Sequence, residues 1–141
     1  MKSLIRLLLI APIIFCWWIP PSYAQNPSGV LRGDSTALLE FYEATGGPNW
    51  FNTQNGNQPW DTLQPISNWL GVVLNNTGSR VVQINLPGNN LTGTIPATVN
   101  KIAQLNSINV SRNRLEGLPI FQVLTQLNNL QVASNRLTFR D

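Results

Sequence analysis

Six carboxylates supply all the side-chain acids of this chain: Asp34, Glu40, Glu43, Asp61, Glu116 and Asp141. There is no histidine, and the one cysteine, Cys16, lies in an apolar N-terminal stretch. The commonest general base, a thiolate nucleophile and most zinc sites are therefore missing. Glu40 and Glu43 are spaced to share the solvated side of a helix, whereas a glycosidase pair must flank a cleft, which nothing in this set provides. Apart from Gly46-Gly47 the glycines are scattered singly among turns, and they form no phosphate-cradling loop. An enzyme is the weakest reading, with no cofactor and no metal implied. Amides are the more abundant chemistry, and an Asn or Gln side chain both donates and accepts.

The elements that would position those amides are written three times. The pattern apolar-x-x-apolar-x-apolar-x-x-Asn-x-Leu occurs at Val81-Ile84-Leu86-Asn89-Leu91, Leu105-Ile108-Val110-Asn113-Leu115 and Leu127-Leu130-Val132-Asn135-Leu137, with starts 24 and 22 residues apart. Apolar residues two apart, such as Ile84 and Leu86, share one face of a short strand, and Gln83 and Asn85 point to the other. One copy cannot bury its apolar face alone, so successive copies must stack. Asn89, Asn113 and Asn135 recur where the chain turns out of the strand, placed to form an internal ladder on backbone groups that the turn leaves bare.

After the first copy the chain reads Leu91-Thr92-Gly93-Thr94-Ile95-Pro96, and after the second Leu115-Glu116-Gly117-Leu118-Pro119. Val99 and Ile102, three residues apart, predict a short helical turn in the return segment, matched by Phe121 and Leu124. The run resembles the plant-type leucine-rich repeat, Leu-x-x-Leu-x-Leu-x-x-Asn-x-Leu-x-Gly-x-Ile-Pro. The first copy matches nearly throughout. The second lacks one residue before Pro119 and another after it, so its return face is expected to be irregular. The period also falls in the range of about 20–29 residues for such repeats. The fold class expected is an α/β solenoid: a short leucine-rich-repeat arc with parallel strands on the concave face and an N-terminal helical cap.

The resemblance extends upstream. Residues 34–42 look like the amphipathic cap helix of this family, with Ala37, Leu38, Phe41 and Tyr42 on one face, Asp34 or Ser35 as its cap and Gly46-Gly47 as its stop. Trp69-Leu70-Gly71-Val72 matches the family's Trp-x-Gly-Val element. Trp50, Trp60 and Trp69 either form a sugar-stacking platform or anchor a loop-rich cap, and the surrounding Asn, Gly, Pro and Gln favour the anchor. A disulfide usually flanks the Trp element in the plant proteins; Ser67 and Leu74 stand where those cysteines would fall. The missing staple, with the departures in the second repeat, points to a bacterial exported version of the family.

Residues 1–24 read as a signal peptide, with Lys2 and Arg6, an apolar run Leu7 to Ile19, and Ser22-Tyr23-Ala24 before a cleavage site. The run is too short for the roughly 20 residues of a spanning helix, so no membrane span is expected in the mature chain. Its location is expected to be secreted, periplasmic or cell-surface. Without Lys2 and Arg6, seven basic residues face six acids, and no basic run suggests nucleic acid. The expected division is the signal peptide, a cap region 25–80 with helix and Trp-containing loops, and repeats 81–104, 105–126 and a truncated 127–141.

Strand alternation places the binding residues. The outward rows are Gln83, Ser107, Asn129; then Asn85, Asn109, Gln131; then Pro87, Ser111, Ala133, with Gly88, Arg112 and Ser134 beside them. The ligand-binding set expected on the concave face is Gln83, Asn85, Ser107, Asn109, Arg112, Asn129 and Gln131, distinct from the structural ladder Asn89, Asn113, Asn135. A polar, almost uncharged face suits a protein, peptide or glycan partner. The resemblance likewise implies recognition, as in receptor ectodomains and inhibitors of wall-degrading enzymes. The alternative is the N-terminal structural or adhesive part of a longer surface protein or receptor. The third copy stops before its Gly-x-Ile-Pro turn, so self-association through that uncapped repeat is expected.

Overall fold

The computed structural model describes residue 30, residues 32–55, residue 60 and residues 63–138. The leader with Cys16 and its cleavage site, and Asp61 and Asp141, lie outside the described residues.

Helix α1 spans Arg32–Ala44 and buries Ala37, Leu38, Phe41 and Tyr42 on one stripe. It begins two residues before Asp34, so Asp34 does not cap it. That carboxylate is instead buried, accepting from Arg80 Nε at 3.0 Å, Arg80 Nη2 at 3.1 Å and the Val81 N–H at 3.0 Å. The Ser35 hydroxyl donates to the Arg32 carbonyl, again within the first turn. A carboxylate in the first turn also faces the positive end of the helix dipole. Left-handed Gly46 (φ 73°) ends the helix, and the Thr45 carbonyl accepts from the Thr92 N–H and from Trp50 Nε1.

A four-stranded sheet follows in the spatial order β1 (Val72–Leu74), β2 (Val81–Asn85), β4 (Ser107–Asn109), β6 (Asn129–Gln131). The last three run parallel, as stacked repeats require. Strand β1 pairs antiparallel with β2 through a hairpin whose Asn75 Oδ1 accepts from the Ser79 and Arg80 N–H groups. This places a strand inside a stretch read as Trp-containing loops. Gly71 allows it, because its φ is 84° and an added Cβ would lie 2.5 Å from the Asn85 carbonyl oxygen. A second, two-stranded parallel sheet joins β3 (Thr92–Thr94) to β5 (Arg114–Gly117).

The return segment of the first repeat forms a 3-10 turn at Ala97–Lys101, with Val99 buried, and packs against α1. In the second repeat the corresponding stretch holds two isolated turns, Leu124 N–H to Phe121 carbonyl and Leu127 N–H to Leu124 carbonyl, and no helix. The core runs between the sheets and the return segments, from Leu38 and Phe41 through Ile84 and Leu91 to Ile108 and Leu115.

Candidate binding face

The register of the large sheet sets the outward residues in rows. Gln83, Ser107 and Asn129 are aligned across β2, β4 and β6, and Asn85, Asn109 and Gln131 form the next row. Val73 extends the first row onto β1. Asn85, Asn129 and Gln131 are exposed, with Gln83 and Asn109 half-buried. Ser107 is 8% exposed and its hydroxyl accepts from Asn129 Nδ2 at 3.1 Å, so it supports the face more than it presents to a ligand. Asn109 Oδ1 accepts from the Ser111 hydroxyl at 2.8 Å and the Ser111 N–H at 3.2 Å. Gln131 Nε2 donates to Asn129 Oδ1 at 3.3 Å. These bonds leave the Asn109 amide nitrogen and the Gln131 oxygen unused, and Gln83 and Asn85 have no side-chain partner among the described residues. The face holds its amides in fixed positions with capacity to spare.

Below it lies the Asn series. Asn113 Oδ1 accepts from the Asn89 and Leu91 N–H groups at 2.9 and 3.0 Å, and its Nδ2 donates to the carbonyls of Leu86 and Val110. Asn135 Oδ1 accepts from Leu115 N–H, and its Nδ2 reaches Val110 and Val132. Each side chain therefore ties its own turn to the one before. Asn89 has no earlier repeat and bonds the cap: Asn52 N–H donates to its Oδ1 at 2.8 Å from the short helix α2 (Phe51–Gln54).

The cap rests on aromatic packing. Trp60 stacks on Trp69 with centroids 5.5 Å apart and meets Trp50 edge-on at 5.0 Å. All three are buried, so they offer no face for a sugar to stack on. The Asp34–Arg80 ion pair closes the seam between cap and first repeat, and its hydrogen bond, then its charge, raise the Arg80 pKa against the opposing effect of burial. The remaining described carboxylates, Glu40, Glu43 and Glu116, are dispersed, and no group of three metal-binding side chains occurs among the described residues. No described helix is long and apolar enough to cross a membrane.

No protein-family model matches the chain. It is 29% identical over 107 residues to an inactive leucine-rich repeat receptor-like serine/threonine-protein kinase of Arabidopsis thaliana, covering 74% of this chain and 16% of that protein. Among solved structures, the BIR2 ectodomain from Arabidopsis thaliana matches with a TM-score of 0.60 and 25% identity over 72% of this chain and 55% of that one. The fold is that of a plant-type leucine-rich-repeat protein. A plant ice-binding protein shares this fold, with a TM-score of 0.60 and 23% identity over 77% of this chain and 34% of that one. The chain spans about one sixth of the curated relative, and the matched region is cap and leucine-rich repeats, not a kinase domain.

The amide rows could be found from strand alternation. Two features were missed. The hairpin strand β1 was signalled by Asn75-Asn76-Thr77-Gly78, a turn sequence between apolar residues. The docking of α2 beneath Asn89 left no sequence signal, because its contact spans 37 residues.

Proposed function

We propose that the chain is an exported leucine-rich-repeat binding module, part of an ectodomain, that recognises a peptide or protein segment through the concave face of β1, β2, β4 and β6. The observation carrying this reading is the alignment of Asn85, Asn109 and Gln131 in one row, supported by the likeness to the BIR2 ectodomain. Amide side chains spaced by the sheet can bond the alternating N–H and C=O groups of an extended backbone. Gln83, Asn129 and Arg112 complete the contact set over Ser107, and Asn89, Asn113 and Asn135 act as scaffold. A glycan is the less favoured ligand, because the described tryptophans are buried.

Residues 1–24 serve as the export signal, followed by cap 25–80 and repeats from 81, in a bacterial secreted, periplasmic or surface protein. Intact mass of exported material should show a chain starting at Gln25; recovery of the full-length chain from membranes alone would refute cleavage. Exposed Leu130 at the last strand is read as a self-association contact. Light scattering should show dimers or larger species that Leu130→Lys disperses.

The binding reading is tested by panning a random linear peptide library on the immobilised chain. Enriched peptides should lose binding to an Asn85→Ala/Asn109→Ala variant that melts like the parent. Binding unchanged in that variant, or no enrichment at all, would overturn the concave-face assignment.

A further inference from the structure

The charged residues of the described structure are unevenly placed. Glu40 and Glu43 lie on the cap helix, and Arg80 is matched by Asp34. In contrast, Arg112, Arg114 and Arg136 are exposed at the edge where the concave sheet turns toward the second sheet, with Glu116 the only acid among the described residues of those two repeats. None of these three arginines forms an ion pair among the described residues. Arg114 and Arg136 hold the same place in successive repeats: Arg114 N–H donates to the Leu91 carbonyl, beside Thr92, and Arg136 N–H to the Leu115 carbonyl, beside Glu116.

Arg112 stands in a turn that every repeat shares, its φ of 58° matched by Gly88 at 59° and Ser134 at 60°. Arg112 and Ser111 also line a shallow depression of about 630 Å³ together with residues 130–134. The depression thus brings a guanidinium and two serines beside exposed Leu130.

We infer that this depression, with Arg112 as its cation, is an anion subsite that takes a carboxylate of an acidic peptide segment next to an aliphatic side chain. The inference rests on the proposed recognition by the concave face and adds its selectivity. Amide rows bond any backbone, so they cannot choose among peptides. The arginine edge can, because a guanidinium matches a carboxylate with two parallel hydrogen bonds. A uronate-bearing glycan offers the same carboxylate, but the buried tryptophans leave no stacking surface for its rings.

The test is the composition of peptides selected from the random linear library by the whole chain and by Arg112→Glu, with Arg114→Glu as a second variant. Selected sequences should be rich in Asp and Glu beside Leu, Ile or Val. A selected acidic peptide should bind Arg112→Glu at least about tenfold more weakly, and its affinity for the parent should fall as salt rises. Panning with Arg112→Glu should shift the selection toward Lys and Arg. Peptides without acidic enrichment that still depend on Asn85 and Asn109 would overturn this subsite and leave the concave-face reading intact. Oligogalacturonate binding that is lost in Arg112→Glu, with no acidic peptide selected, would overturn the peptide occupant. Melting curves of both variants matching the parent would show that lost binding is not lost folding.

Discussion

The two ends of the arc carry the same pattern and opposite burial. Ile84 and Ile108 occupy the central apolar position of the first two repeats and are 0% exposed, while Leu130 in the third is 41% exposed. At the first end, α1, the Trp50–Trp60–Trp69 cluster and the hairpin strand β1 cover the solenoid. At the other, Ile120 and Val123 are exposed at 73% and 65%, and β6 pairs on one side only among the described strands. The pattern in a repeat thus specifies which side chains point inward. What buries them is the neighbouring layer, and that information lies elsewhere in the chain.

The comparison is broken most directly by removing what seals the first end. Trp60→Ala deletes a ring that stacks on Trp69 and contacts Phe41, Tyr42 and Trp50. A loss of about 3–5 kcal/mol in urea unfolding is expected. A loss near zero would mean that the cap is held by α1 alone.

Next, one truncation made in two layers separates pattern from position. Ile108→Ala should cost about 2–5 kcal/mol, since the cavity is enclosed on every side. Leu130→Ala should cost under about 1 kcal/mol, because the side chain already meets solvent. Equal losses would show that a partner covers the third repeat in solution, which sedimentation of the same samples would reveal.

These contrasts also explain what could be read from the sequence. Strand register, the outward amides and the cap helix follow from local spacing, because alternation in a strand and the stripe on α1 are properties of a few consecutive residues. Asp34 shows where that stops. Its type and place suggest a helix cap, but Arg80 and the Val81 N–H, more than 40 residues away, draw it into the seam. The second sheet was hidden for a related reason: Thr92-Gly93-Thr94 reads as a turn until Arg114–Gly117 lies beside it.

Within one repeat, the same residue type can be set against itself. Asn113→Ala would leave the Asn89 and Leu91 N–H groups and the Leu86 carbonyl without their partner, costing about 1–3 kcal/mol. Asn109→Ala removes bonds only to Ser111, a neighbour that water can reach, and should stay within about 0.5 kcal/mol of the parent. Similar losses at both would undo the separation of scaffold from binding face.

The smallest expected effect has the opposite sign and turns on three backbone positions. Gly88, Arg112 and Ser134 share a register and a φ near 60°. A left-handed conformation costs an L-residue about 1–2 kcal/mol, and glycine loses about 0.5–1 kcal/mol more backbone entropy on folding than alanine does. Arg112→Gly and Ser134→Gly should therefore each stabilise the fold by about 0.5 kcal/mol, net of those two effects. The pair then diverges in binding. Losing the guanidinium should weaken acidic peptides in Arg112→Gly, whereas Ser134→Gly leaves the arginine edge in place and should hold their affinity close to that of the parent. Stability gained at both positions with binding lost only at Arg112 would show that the guanidinium, and not the shared backbone conformation, serves the ligand. If Arg112→Gly destabilises the fold, the arginine side chain supports the repeat itself, and its backbone conformation carries no message about a ligand.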